Sequence, residues 1–410
     1  MTTTKAGRID DLLDRKPGEV SRWPAVVAVV AAFLIPVFDT IGAGPILLAL
    51  IGIVAIWTLP NAPRIGVNLA VAGVIIFGLS IALYEGGGRG NYFYDVGIVL
   101  GVAPCAYLLG RRLGSANLGQ VYVLRAVIIL SLVGVIVGIL EYLESRYLIS
   151  NSLFSETPTR NGQFRSRGLF PQSLVLALFC AVSIPLTFDK RVVSRTLLRV
   201  LTVMVLALGI YTTASRGAPL ALFLAGVVWL ICYAVTTKSA RIAFSLFAIL
   251  VGFVALLVGS GNPFSGNQTS LVTSSDGAVA SAQYRAELYR QVLPVVAEKP
   301  FGFGLGRVPE HIIVFHSYFG TLDASRTVDS EYVLGLLKFG LVGLVFYLYL
   351  WYMVVRRLSE RPTAVGFALV VLLFSGVFLA LQSWLTVVFI LPLLFGLQIG
   401  EVGRAGARAS

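Results

Sequence analysis

The sequence predicts an all-α protein: a polytopic transmembrane helical bundle of about twelve spans, with one large extracytoplasmic loop containing short helices. Three observations lead there. Of its 410 residues, 57% are hydrophobic and 13% charged, against about 25% charged in an ordinary soluble domain. Apolar windows long enough to cross a bilayer as helices recur along the chain, and the mean hydropathy is +0.86. One long polar interval, 260–343, interrupts this pattern, and the alternation expected of a membrane β-barrel is absent.

Taken in order, the chain opens with a 1–23 tail. Asp10, Asp11 and Asp14 among its basic residues make it a soluble cytoplasmic tail rather than a cleavable signal. Spans are expected at about 24–38, 41–57, 66–84, 94–110, 121–140, 169–188, 196–214, 217–235, 242–259, 332–355, 363–381 and 383–398. The first two and the last two are short or closely joined, which also fits hairpins or re-entrant pairs. Spans one to nine thus occupy 24–259, the extracytoplasmic loop 260–331, spans ten to twelve 332–398, and a cytoplasmic tail 399–410.

Orientation follows from the bases. With the N-terminus inside, the cytoplasmic side receives Lys5, Arg8, Arg64, Arg111, Arg112, Lys190, Arg191, Lys238, Arg356, Arg357 and Arg361, as the positive-inside bias requires. The net charge of +12 therefore has an ordinary origin, and nucleic acid is not an expected partner. Cys105, Cys180 and Cys232 fall inside apolar segments and form neither a metal pattern nor a disulfide framework. The bases that orientation does not explain are those left outside: Arg89, Arg146, Arg160, Arg165, Arg167, Arg216, Arg285, Arg290, Arg307 and Arg326. An anionic ligand on the outer face would account for them.

Three stretches carry candidate chemistry. Ser215-Arg216-Gly217-Ala218 joins two spans by so short a turn that Arg216 must sit at the membrane boundary. Its planar guanidinium suits bidentate phosphate binding, and it equally suits a lipid-headgroup anchor at a helix end. Over 281–299, Tyr284, Leu288, Val292 and Val295 recur at helical spacing, with Arg285 and Arg290 off that face and Pro294 expected to kink or end the helix. This fits an interfacial helix with solvated charges or a ligand-binding one. Asp329-Ser330-Glu331-Tyr332 lies at the mouth of the tenth span. Asp329 there is a helix cap or, beside several arginines, an ionised carboxylate able to act as general base. The run Pro300-Phe301-Gly302-Phe303-Gly304-Leu305-Gly306 lacks the strand and helix of a nucleotide loop and reads as a turn. His311 and His316, five apart, do not share a helix face for a metal; His316 is a reserve candidate for the base.

Together these stretches resemble the O-antigen ligase and polymerase superfamily, membrane enzymes that join lipid-linked glycans. Arg165-Ser166-Arg167-Gly168-Leu169-Phe170-Pro171-Gln172 resembles the family's Arg-x-x-Gly-x-Phe segment, and Thr213-Ala214-Ser215-Arg216-Gly217-Ala218 its Ser-Arg-Gly stretch. Arg285 followed by the Pro300–Gly306 run looks like its loop arginine and Pro-x-x-Gly-x-Gly pattern. The ligases carry His-Asn, nine residues, then Gly-x-x-Gly. Here Asp329-Ser330 precedes Gly340-Leu341-Val342-Gly343 at that spacing, with aspartate in the histidine's place, as in polymerase-like members.

The resemblance implies a polysaccharide polymerase that joins undecaprenyl-diphosphate-linked oligosaccharides at the outer face of the bacterial inner membrane. The chemistry expected is metal-independent inverting glycosyl transfer with no cofactor. Asp329 and Arg216 are the expected catalytic pair. Arg165, Arg167, Arg285 and Arg290 are expected to bind the diphosphate, Arg167 as a substitute for Arg165. The lipid-linked glycan is the expected substrate partner, and a chain-length regulator or a flippase is compatible as a protein partner. Two alternatives stay open: a ligase handing the glycan to a lipid core or protein, and a transporter or flippase. The interiors of the spans, almost free of charge, argue against transport.

Overall fold

A computed structural model describes residues 95, 97, 102–115, 117–149, 159–160, 163–237, 277–306, 308–317, 320–323, 325 and 328–407. The expected spans at 24–38, 41–57, 66–84 and 242–259 lie outside these residues, as does part of the one at 94–110. The described elements, in order, are α1 (Ala103–Ser115), α2 (Asn117–Glu144), the two-residue strands β1 (Thr159–Arg160) and β2 (Gln163–Phe164), α3 (Ser173–Leu186), α4 (Thr196–Thr212), α5 (Gly217–Thr237) and α6 (Gly277–Glu298). They continue with β3 (Val314–Ser317), β4 (Gly320–Asp323), α7 (Glu331–Glu360), α8 (Ala364–Ser375), a 3-10 turn (Leu381–Ser383) and α9 (Leu385–Ala407). Both strand pairs are antiparallel. The described chain is thus mostly helical.

Among the described residues, three helical stretches are long and apolar enough to cross a membrane: Gly119–Glu144, Gly217–Thr236 and Glu331–Glu360. α3, α4, α8 and the Leu385–Glu401 part of α9 are apolar but shorter. α2, α4 and α5 match their expected spans to within a few residues, because uninterrupted apolar runs bounded by polar residues leave little choice.

α3 and α8 form the centre. Nearly every residue of both is buried, and helices apolar all round must be enclosed by others. α2 and α4 pack on α3 and keep apolar outer faces, Ile129 and Ile136 on one, Leu201 and Met204 on the other, while α5, α7 and α9 pack on α8. Ser131 Oγ and Ser183 Oγ, 2.8 Å apart, tie α2 to α3 inside this apolar core. α1 and α9 approach most closely. A Cβ added at Gly110 or Gly114 would lie 2.1 Å from the Leu393 carbonyl oxygen or 2.3 Å from that of Leu397. The four-residue glycine spacing therefore serves backbone contact.

α7 departs from expectation. The apolar run 332–355 reads as one crossing, yet Gly340 has φ 55° and ψ −138°, far from helical values. The chain doubles back there. The Tyr347 hydroxyl donates to the Glu331 carboxylate, and Trp351 Nε1 donates to the Tyr332 hydroxyl at 2.8 Å. In a continuous helix, residues 16 apart are separated by about 24 Å. α7 is therefore a hairpin of a short arm, 331–339, and a long arm, 341–360. Gly343 lets the arms close: a Cβ there would lie 2.5 Å from the Gly335 carbonyl oxygen.

The Pro300–Gly306 run holds this break. Phe303 N–H and Gly304 N–H donate to the Leu337 and Lys338 carbonyls, each at 2.8 Å, and Leu341 N–H donates to the Pro300 carbonyl at 2.8 Å. These are backbone groups that a helix interrupted at Gly340 leaves without partners. Asp95 accepts from Gly306 N–H at 2.8 Å and from the Lys338 ammonium, which is buried and so requires such a partner.

Candidate functional site

At one end of the bundle the helices stop and four irregular stretches meet: 165–172, 213–216, 328–330 and 376–384. The first is shaped from below. Gly168 has φ +57°, and a Cβ there would lie 2.1 Å from the Gly134 carbonyl oxygen. Glu141, fully buried near the end of α2, accepts from Arg167 N–H at 2.9 Å, Gly168 N–H at 2.8 Å and Leu148 N–H at 3.2 Å. One carboxylate thus fixes the turn that carries both arginines.

That turn is stitched to the second stretch. Ser166 donates to Thr212 through its amide at 3.0 Å and its hydroxyl at 2.8 Å, and buried Arg165 donates from Nε to the Thr213 carbonyl at 3.3 Å. Ala214 completes the turn with φ 50°, a conformation that costs a non-glycine residue about 1 kcal/mol or more. Arg216 follows, exposed, immediately before α5. The unpaired N–H groups and the dipole of a helix N-terminus favour an anion at this point.

The third and fourth stretches lock onto each other. Glu331 N–H donates to the Gly376 carbonyl at 2.8 Å, Ser330 Oγ donates to the same carbonyl at 3.3 Å, and the Glu331 carboxylate accepts from Gln382 N–H at 2.9 Å. Tyr289 of α6 meets Ser330 Oγ at 3.0 Å through its hydroxyl. Phe378 then links everything. The Arg285 guanidinium lies 5.4 Å from its ring centre, and a Cβ on Gly217 would come within 3.1 Å of its side chain. A small cleft opens beside it, lined by Leu174, Leu178, Ser215, Ala218, Ser375 and Leu379 among others.

The expected site residues therefore separate into two groups. Arg165, Arg216, Arg285 and Asp329 each lie in, next to, or in contact with one of these joined stretches; Asp329 is exposed and precedes the Ser330 junction. Arg167 is buried but committed elsewhere: its guanidinium lies 4.2 Å from the Tyr147 ring centre and donates to the Ile149 carbonyl. Arg290 points to solvent, paired at 2.9 Å with Glu287. Five residues along a helix is about 140° of rotation, so Arg290 cannot share the Arg285 face. The Gln291 amide and Arg290 hold the Glu287 carboxyl below its usual range. His316 lies in β3 opposite Thr321, in a hairpin that packs on α6 through Phe315 and Tyr284, rings 5.0 Å apart.

Two expectations about these elements need correction. α6 runs through Pro294 to Glu298 rather than ending there; Pro294 is exposed. The cap residue of α7 is Ser330, without a side-chain cap bond, and not Asp329.

Residues 201–348 match the family model described as O-antigen ligase. Over that stretch the chain is similar to the O-antigen ligase family. The match supports the superfamily to which the motifs pointed and takes in Arg216, Arg285, Asp329 and the glycine-clamped break of α7. Arg165, Glu141 and Phe378 lie outside it. No curated protein matches the chain.

Sequence reasoning missed four residues that build this candidate site: Glu141, Tyr289, Glu331 and Phe378. For the two glutamates a signal existed, since each is an acid at the edge of a long apolar run, where burial demands hydrogen-bond donors. Tyr289 and Phe378 carried none.

Proposed function

We propose that the chain is a glycan polymerase of the bacterial inner membrane, acting on undecaprenyl-diphosphate-linked oligosaccharides at its outer face. In this reading the sugar hydroxyl of one lipid-linked unit attacks the anomeric carbon at the reducing end of the growing chain. The new glycosidic C–O bond forms as the bond to the diphosphate breaks, with inversion. Asp329 takes the hydroxyl proton, and the prenyl diphosphate leaves with the electron pair.

The largest demand is stabilising charge on the departing diphosphate, and donors fixed in a poorly hydrated pocket supply this most effectively. Arg216 and the N-terminus of α5 are assigned that role, with Arg165 and Arg285 beside them. Guanidinium groups then do what a metal ion does in other diphosphate chemistry. The carrying observation is the junction at Phe378, which draws Arg285 and the Arg216 turn to the stretch bonded to Ser330, next to Asp329.

The test is Arg216→Ala and Asp329→Asn, each checked for normal insertion and assayed for product length with a lipid-linked repeat unit. Loss of long products in both is expected; long chains persisting in both would overturn the assignment. The O-antigen ligase description of residues 201–348 favours a second reading, transfer of finished glycan to a separate acceptor. Deleting a ligase would leave long polymer on its prenyl carrier, whereas deleting a polymerase would leave single units.

A further inference from the structure

A cavity lies at the opposite end of the bundle, away from the candidate site. It holds about 290 Å³ and is lined by Pro185, Phe188, Lys190, Trp229, Val365 and Phe367, with Asp189, Arg191 and Glu401 at its rim. Trp229 stands eight residues before the end of α5, so the cavity reaches about 12 Å along that helix. Its wall there is rigid: the Trp229 ring stacks between Tyr233 and Phe367, centres 5.4 and 5.6 Å away.

The polar groups of this cavity are unevenly satisfied. Asp189 and Glu401 share the Arg191 guanidinium, at 2.7 and 3.0 Å, and Glu401 also accepts from the Gln120 side-chain amide at 3.0 Å. These carboxylates push the Arg191 guanidinium further toward its charged form. Lys190, exposed at the mouth, has no ion pair or hydrogen bond among the described residues. The Trp229 indole N–H, buried in the wall, also has no acceptor among them. The groups left over are donors and a cation, above an apolar floor. The bases around this end include Arg111, Arg112, Arg195, Arg199, Arg356 and Arg361. The complement of such a cavity is an amphiphile with an anionic, oxygen-rich head and apolar tails.

We propose that this cavity is a binding site for an anionic phospholipid, its phosphate at Lys190 and its glycerol and upper acyl chains against Phe188, Trp229 and Phe367. A lipid seated there braces Thr363–Phe367 at the start of α8, whose far end supplies the Gly376 carbonyl to the candidate site.

The experiment is native mass spectrometry of the full chain released from phosphatidylcholine nanodiscs containing phosphatidylglycerol. A retained phosphatidylglycerol adduct is expected for the wild type. Lys190→Gln should weaken retention about tenfold, the size of one lost charge-assisted hydrogen bond, and Ala364→Trp, which fills the cavity, should abolish it. Arg356→Gln, which removes a cation of the same end outside the cavity, should leave it intact. Retention unchanged in both cavity variants would overturn the proposal, as would equal loss with Arg356→Gln. Displacement of the adduct by inorganic phosphate alone would show a free-anion site and overturn the lipid assignment.

Discussion

Replacing Gly340 by alanine separates the hairpin reading of α7 from a straight transmembrane helix by the sign of the effect. In a continuous helix, alanine in place of glycine stabilises by up to about 1 kcal/mol. At φ 55° and ψ −138° the opposite holds, because that region is essentially reserved for glycine and costs other residues about 1–3 kcal/mol. The new Cβ would also lie 2.0 Å from the Pro300 carbonyl oxygen and 2.8 Å from the Gly302 nitrogen. Relief requires opening the Leu341–Pro300 hydrogen bond, about 1 kcal/mol more. The sum is a destabilisation of about 2–4 kcal/mol, or roughly 2–5 °C in the unfolding midpoint of a chain this long. The assay is thermal unfolding in detergent, read as loss of the monodisperse peak. Gly226→Ala is the control: a Cβ there meets nothing closer than 3.6 Å, so this mid-helix change should be neutral or stabilising. A Gly340→Ala variant at or above wild-type stability would refute the hairpin and the clamp built around it.

Two further outcomes follow from the carboxylates. Glu141→Gln sets an amide against three backbone N–H donors and leaves at least one buried donor unmet, at about 1–3 kcal/mol; limited proteolysis should show new cleavage within 145–165, together with shortened product. Asp323 is held at about 2 by hydrogen bonds from the Ser325 hydroxyl, His311 N–H and Ser325 N–H. Its folded value lies below the unfolded one, so its stabilisation is complete above about pH 4 and is lost as pH falls toward 2. Amide exchange at His311 and Ser325 should accelerate through that window relative to the intrinsic rate, and Asp323→Asn should show no such step.

The helices were legible because burial in lipid writes long apolar runs into a sequence. The break in α7 was not, because an apolar run is blind to a reversal within it. Hydropathy over 332–355 stays high on both sides of Gly340. The glycines that permit the turn, Gly340 and Gly343, registered as a spaced motif without a mechanism. Their partner, the Pro300–Gly306 run, registered as a turn without a target. The backbone bonds between 300–304 and 337–341 join the two. Arg290 shows a different failure. Its charge made it a candidate beside Arg285, although helical rotation alone places the two on different faces.

The site's location follows from helix length. α3 has 14 residues and α8 has 12, about 21 and 18 Å at 1.5 Å per residue, against roughly 30 Å of bilayer hydrocarbon. Helices this short, at the centre of the bundle, leave backbone below the level their longer neighbours reach. Exposed to lipid, each such group would cost several kcal/mol, so irregular backbone survives there only when enclosed by protein. The enclosure is visible in Glu141, Glu331 and Arg165, each spent on N–H or carbonyl groups of the irregular stretches. The exposed Arg216 and the N-terminus of α5 stand beside these groups, with Arg285 held against Phe378. All three are positive or electropositive. The short central helices thus leave a pit in which Glu141, Glu331 and Arg165 hold backbone, with Arg216 and Asp329 exposed beside it.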